Sequence, residues 1–91
     1  MVSREKIHKL LDLILDVHAF GDADCGLPLV TMEFSNYGYP IHFRSSAGGF
    51  NSKYDHFFPI RSDSDADCAI RITENLLEIA KGKVGAAHGR A

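Results

Sequence analysis

The hydrophobic residues of the chain follow a helical period in two segments and a strand period in the part between them. In the first segment they recur every three or four positions, as on the buried face of an amphipathic helix. We predict a helix over residues 3–20, capped by the hydroxyl of Ser3 and ended by Gly21. Its apolar positions are Ile7, Leu10, Leu11, Ile14, Val17 and Phe20.

The second helical pattern lies near the end of the chain. We predict a helix from about Asp63 to Lys81 that ends at Gly82. Aspartates crowd its first turns, where the helix dipole favours negative charge. Its apolar positions are Ala69, Ile72, Leu76 and Ile79, with Ile70 and Leu77 beside them.

Between the two helices, apolar and polar residues alternate in three short runs, which is typical of strands with one buried face. We predict strands over residues 29–35, 41–45 and 54–61. In the third strand we expect Tyr54, His56, Phe58 and Ile60 to point inward. Pro59 has no N–H for a ladder bond, so this strand should lie at an edge or end early.

The predicted order is therefore α-β-β-β-α. Consecutive strands with short connections favour an antiparallel meander, and two amphipathic helices on one face complete a two-layer α+β sandwich. We assign residues 1–84 to a single domain and residues 85–91 to a flexible C-terminal tail.

Composition limits the classes of function. The chain has 91 residues, of which 45% are hydrophobic and 24% charged, and its formal net charge is −2. This balance does not favour a general nucleic-acid binder, which usually carries a basic patch. We see no membrane-spanning stretch or export signal, so we expect a soluble cytoplasmic protein with Cys25 and Cys68 reduced.

The order α-β-β-β-α is similar to that of double-stranded RNA-binding domains, a resemblance of topology that covers most of the chain. That family presents a lysine cluster at the start of its last helix, where it contacts phosphates. Here the corresponding residues are Asp63-Ser64-Asp65-Ala66-Asp67, which would repel a phosphate backbone. Nucleic acid is therefore an unlikely partner. A nucleic-acid-binding module of this topology, using Arg44, Lys53, His42 and the hairpin tyrosines Tyr37 and Tyr39 for phosphate and stacking contacts, is kept as an alternative.

Other motifs suggest metal or catalytic chemistry. Residues 63–74 resemble a calcium-binding loop, but Cys68 stands where the loop needs glycine, and helix capping also explains the aspartates. The two cysteines lack zinc-finger spacing, and the five histidines form no triad motif with a nearby Ser or Cys. We predict no metal, no cofactor and no catalytic residue, and leave a small-ligand or metal-dependent enzyme as a further alternative.

The sheet face opposite the helices is the predicted functional surface. In a meander the second strand is central, which places His42 and Arg44 in the middle of this face. An exposed aromatic residue beside Arg and His is typical of recognition surfaces. We therefore predict an accessory, inhibitor or immunity-type protein that binds a protein partner or itself. The predicted surface consists of His42, Arg44, Phe57, Glu33, Thr31, Tyr37 and Tyr39.

Overall fold

The chain folds into two helices and a three-stranded antiparallel sheet, in the predicted order α-β-β-β-α. The computed structural model describes residues 2–21, 26–36, 40–49 and 53–88. Both helices contribute to one hydrophobic core with the same face of the sheet, so the domain is a two-layer α+β sandwich. The elements are α1 (Arg4–His18), β1 (Leu29–Phe34), β2 (Ile41–Ser46), β3 (His56–Pro59) and α2 (Asp63–His88).

The first helix matches its predicted period except at Leu11, which is exposed, and it begins differently. Leu10, Ile14 and Val17 are its buried residues. The hydroxyl of Ser3 makes no capping hydrogen bond, so the predicted capping role of this side chain is wrong. Instead, the backbone N–H of Ser3 donates to Asp63 Oδ1 at 2.7 Å, which ties the start of α1 to the start of α2. Beyond the helix end, Gly21 adopts φ +139°, which glycine accepts far more readily than other residues.

The sheet has the order β1-β2-β3, with β2 in the centre. Phe43 of β2 lies opposite Met32 and Phe58 on the core face. The third strand is shorter than predicted, since it begins at His56 and ends at Pro59. It is an edge strand, as Pro59 indicated.

The prediction that Tyr54 and His56 point into the core is wrong, because both side chains are exposed. The chain bends at Asp55, whose carboxylate accepts a hydrogen bond from the N–H of Ala47 at 2.8 Å. Its own N–H donates to the carbonyl of Ser45, also at 2.8 Å. Because this bend interrupts the alternation, counting backward from Phe58 misassigns Tyr54. His56 stays on the same face as Phe58, opposite Ser45, but it lies at the start of the strand and is exposed there.

In the core, large side chains of α1 and the sheet meet small residues of α2. Phe43 and Leu10 are fully buried. Small buried residues let a helix approach its neighbour closely, and here they replace part of the predicted stripe of larger side chains. The buried residues of α2 are Ala66, Ala69, Ile70, Thr73, Leu76 and Ala80.

The second helix begins as predicted, at Asp63, and it is capped by Ser62. The Ser62 hydroxyl accepts a hydrogen bond from the N–H of Asp65 at 3.2 Å, and the Asp65 carboxylate accepts one from the N–H of Arg61 at 2.9 Å. This arrangement is close to a capping box, in which side chains satisfy the N–H groups that a helix start leaves unpaired.

The predicted end of α2 at Gly82 is wrong, because the helix continues to His88. A glycine costs a helix about 1 kcal/mol relative to alanine, which does not stop a helix that is already propagating. The flexibility of segment 85–91 stays a prediction, and residues 89–91 lie outside the described part of the chain. Neither helix, over its described length, is long and apolar enough to cross a membrane.

Candidate functional site

The open face of the sheet brings together predicted residues from all three strands. Arg44 on β2 has Thr31 of β1 as its partner on one side and Phe57 of β3 on the other. His42, two residues earlier on β2, lies opposite Glu33. Side chains two residues apart on a strand point to the same face, so these five side chains form one continuous surface.

The guanidinium of Arg44 is held by three neighbours. It forms an ion pair with Glu33, through Nη2 and Oε1. Its Nη1 donates to the hydroxyl of Tyr54 at 3.4 Å. The guanidinium carbon also lies 5.2 Å from the ring centre of Phe57 and 5.8 Å from that of Tyr54, within the range of cation–π attraction.

Phe57 is the central aromatic residue of this face. Its ring meets the ring of Tyr54 edge-on, with centroids 5.9 Å apart and an interplanar angle of 79°. It also meets the imidazole of His42 edge-on, with ring centroids 6.4 Å apart and an interplanar angle of 86°. Edge-to-face contacts of this kind are favourable because the positive edge of one ring faces the negative face of another. We refer to Thr31, Glu33, His42, Arg44, Tyr54 and Phe57 as the open-face cluster.

The cluster combines exposed rings with a largely buried cation. Phe57 is 58% exposed and Tyr54 is 47% exposed, whereas the Arg44 side chain keeps only 25% of its accessible surface. The Nε of Arg44 and the hydroxyl of Thr31 are buried and have no hydrogen-bond partner among the described residues.

Five of the seven predicted surface residues belong to the cluster. Tyr37 and Tyr39 lie outside the described residues, so their place on the surface stays a prediction. Tyr54 is the member that the sequence does not predict, because regular alternation assigns it to the core side of the third strand. The spacing Tyr54-x-x-Phe57 around Asp55, a common turn residue, was the available signal.

The aspartates of the calcium-like segment have structural partners. The segment is helical from Asp63 onward, so its side chains cannot wrap an ion as a loop would. Asp63 and Asp65 accept backbone hydrogen bonds, and Asp67 pairs with Lys6 at 2.6 Å. In the part of the chain that the structure describes, no group of three or more His, Cys, Asp or Glu side chains is placed to hold a metal ion.

A shallow groove lies between α1 and α2, away from the open-face cluster. It is wide open to solvent, and the Lys6–Asp67 pair at its side satisfies two of its charges internally. The hydrogen bond that Lys6 Nζ donates to the Asp67 carboxylate is the main reason that the pKa of Lys6 lies above its ordinary value. The groove is lined by Lys6, Lys9, Asp67, Ile70, Arg71 and Glu74.

Comparison with known proteins gives no relative: no family model, curated protein or solved structure matches the chain. The geometry and chemistry of the site are therefore the basis for a functional proposal.

Proposed function

We propose that the protein is a small non-catalytic interaction protein, of accessory, inhibitor or immunity type, and that it binds a protein partner through the open-face cluster. The observation that carries this proposal is the arrangement around Arg44, which Glu33, Tyr54 and Phe57 hold in place beside exposed aromatic surface. Arginine and tyrosine are strongly enriched among the residues that contribute most to binding energy.

The contacts that hold the Arg44 side chain in the free protein favour a role in binding. An arginine that is mobile before binding loses rotamer entropy when a partner fixes it, at a cost of about 0.5–1.5 kcal/mol. Arg44 is already fixed by its ion pair and by two rings. Its guanidinium can therefore bind a partner with little further ordering.

The chemistry of the cluster indicates the kind of partner. The exposed rings of Phe57 and Tyr54 offer apolar area, and the neighbouring Glu33 offsets the charge of Arg44. A folded protein surface with an apolar centre and a polar rim fits this pattern. A nucleic-acid backbone fits it less well, because phosphates would have to displace the Glu33 carboxylate from Arg44.

We place this activity in the cytoplasm. Cys68 is a free thiol in the structure, and a reducing compartment keeps such thiols unoxidised.

The test compares proteins captured from a lysate by the full chain and by three variants, with and without nuclease. Arg44→Ala and Phe57→Ala change the cluster. Phe34→Ala is the matched control, because Phe34 is exposed to almost the same extent, 59% against 58%, but lies off the open face. The captured partner is then purified, and calorimetry measures its affinity, per binding site, for the wild type and for each of the three variants.

We expect a partner protein that survives nuclease and binds the two cluster variants at least about tenfold more weakly, a loss of about 1.4 kcal/mol. Phe34→Ala should bind the partner with the same affinity per binding site as the wild type. Unchanged binding by both cluster variants would overturn the proposal. So would capture that depends on nucleic acid, or a screen that captures no partner protein.

A further inference from the structure

The open-face cluster contains one carboxylate and one guanidinium, and the two are not equally accessible. The Glu33 side chain keeps 55% of its accessible surface, whereas the Arg44 side chain keeps 25%. The guanidinium is engaged by Glu33 through Nη2 and by the Tyr54 hydroxyl through Nη1, and the Phe57 ring lies beside it. A partner that approaches the sheet therefore meets a negative charge and aromatic rings more readily than it meets the positive charge.

The Glu33 carboxylate can accept more hydrogen bonds than it does in the free protein. Its Oε1 pairs with Nη2 of Arg44, while an ionised carboxylate offers about four lone-pair sites. Hydrogen bonds in which donor and acceptor are both charged are the strong ones. Glu33 can therefore bind a cation of a partner while it keeps its contact with Arg44.

The exposed rings beside the carboxylate favour the same kind of group. The faces of Tyr and Phe rings attract cations, and arginine is the cation most often found there. Phe57 and Tyr54 already lie against the guanidinium of Arg44. Because that guanidinium also pairs with Glu33, the carboxylate and the rings surround one group, so a single long side chain of a partner can approach both.

An anionic group of a partner meets obstacles at the same place. To bond with Nη1 or Nη2 of Arg44, it has to compete with the Tyr54 hydroxyl or the Glu33 carboxylate. Like charges brought together at an interface cost binding energy. The formal net charge of −2 adds a weak attraction for cations at longer range. Local and overall charge therefore favour a partner group of the same sign, positive.

We infer that Glu33 determines the charge of the partner that the open face accepts: it binds a cationic side chain of the partner protein and keeps anionic groups away from Arg44. This inference rests on the proposed function, because it names the partner chemistry of that same site. Arg44 then acts as a positioning residue, whose contacts hold the Glu33 carboxylate and the Tyr54 ring on the face. Arginine is the partner residue that fits best, because its planar guanidinium stacks on rings and pairs with carboxylates.

Removing the charge of Glu33 should reverse this preference. In Glu33→Gln the side chain keeps its size but no longer neutralises Arg44. The face then presents an unpaired guanidinium beside exposed rings, a combination that binds anions and nucleic acids. Glu33→Gln should therefore lose affinity for cations and gain affinity for anions.

The test uses two six-residue peptides that differ only in carrying three arginines or three glutamates. Each is titrated into the ¹⁵N-labelled full chain, and the amide chemical shifts are followed. The proteins are the wild type, Glu33→Gln, and Glu33→Gln combined with Arg44→Gln. Glu74→Gln is the matched control, because it removes the same charge from an exposed position on α2.

We expect the arginine peptide to shift the amides of Glu33, Arg44 and Phe57 in the wild type, with a dissociation constant in the millimolar range. Glu33→Gln should weaken this binding at least about threefold, and Glu74→Gln should leave it unchanged within about twofold. The glutamate peptide should shift these amides in Glu33→Gln but not in the wild type, and the double variant should lose that gain. The spectra of the free variants show directly whether each one keeps the fold.

The inference is overturned if the arginine peptide leaves these amides unshifted, or if the glutamate peptide binds the wild type equally well. An equal loss of arginine-peptide binding in Glu33→Gln and Glu74→Gln would also overturn it, since net charge alone would then explain the effect.

The proposed function and this inference can fail separately. A captured partner that binds Glu33→Gln as tightly as the wild type would leave the proposed function standing and overturn the role of Glu33. Capture of no partner protein, together with arginine-peptide binding that depends on Glu33, would overturn the proposed function and support the charge preference of the face.

Discussion

The imidazole Nε2 of His18 lies 2.8 Å from the carbonyl oxygen of Val30, and this contact joins the end of α1 to the start of β1. Removing the donor leaves a partly buried carbonyl without its partner. We expect His18→Ala to lower the free energy of unfolding by about 0.5–1.5 kcal/mol. Urea denaturation measures the change, with His8→Ala, on the exposed side of α1, as the control. An equal loss in both variants would show that the contact contributes nothing specific.

The two serines that precede the helices should differ in their effect on stability. Ser62 accepts a capping hydrogen bond from the N–H of Asp65, whereas the hydroxyl of Ser3 caps nothing. Ser62→Ala should destabilise the fold by about 0.5–2 kcal/mol. Ser3→Ala keeps the backbone N–H that binds Asp63, so it should stay within about 0.5 kcal/mol of the wild type. Thermal melts of both variants test this pair, and a larger loss from Ser3→Ala would refute it.

Two glycines should respond in opposite directions to alanine. Gly82 lies inside α2, where an added Cβ would meet no atom within 4 Å. Gly82→Ala should therefore stabilise the protein by about 0.5–1 kcal/mol. At Gly21, φ is +139° and an added Cβ would lie 2.7 Å from Leu27 Cδ1. Gly21→Ala should cost about 1 kcal/mol or more, and chemical denaturation that gives both changes the same sign would contradict this contrast.

The Lys6–Asp67 ion pair predicts a pH dependence in the alkaline range. Because the hydrogen bond to Asp67 raises the pKa of Lys6 above its ordinary value of 10.5, the folded state holds the proton more tightly than the unfolded state. The stabilisation is complete below 10.5 and is lost as pH rises through the raised pKa of the folded state.

Unfolding by urea should therefore show a constant difference between wild type and Lys6→Met through neutral pH. That difference should shrink at alkaline pH. Asp67→Asn should show the same loss, since it removes the same pair. A difference that widens with rising pH would have the wrong sign for a raised pKa.

Much of the open face could be predicted from sequence because alternation in β1 and β2 is regular. Once two strands form a hairpin, period two alone places Thr31, Glu33, His42 and Arg44 on one side. Tyr54 could not be placed this way. Its position depends on the bend at Asp55, which is held by hydrogen bonds to Ser45 and Ala47, ten and eight residues earlier in the chain.

The helix ends show the same limit of local reasoning. Ser3 is a typical helix-capping residue and Gly82 a typical helix-ending residue. In the structure, the Ser3 hydroxyl does not cap α1, and α2 does not end at Gly82. The N–H of Ser3 bonds to Asp63, which is 60 positions away in the sequence. Beyond Gly82, Lys83 Nζ donates to the carbonyl of Gly26, 57 positions earlier. No window of neighbouring residues contains either contact.

The packing of α1 against α2 has a consequence for biosynthesis. The first helix buries Leu10 and Ile14 in a core that also needs Ala66 and Ala69, so its apolar stripe lacks part of its cover until α2 has been translated. The contacts between the helix starts, Ser3 with Asp63 and Lys6 with Asp67, span 60 and 61 positions. Contacts of such long range slow folding, because loop-closure entropy is lost before they form. Ribosome-bound chains that lack α2 should therefore expose the α1 stripe to chaperones, and native packing should follow only after α2 has left the exit tunnel.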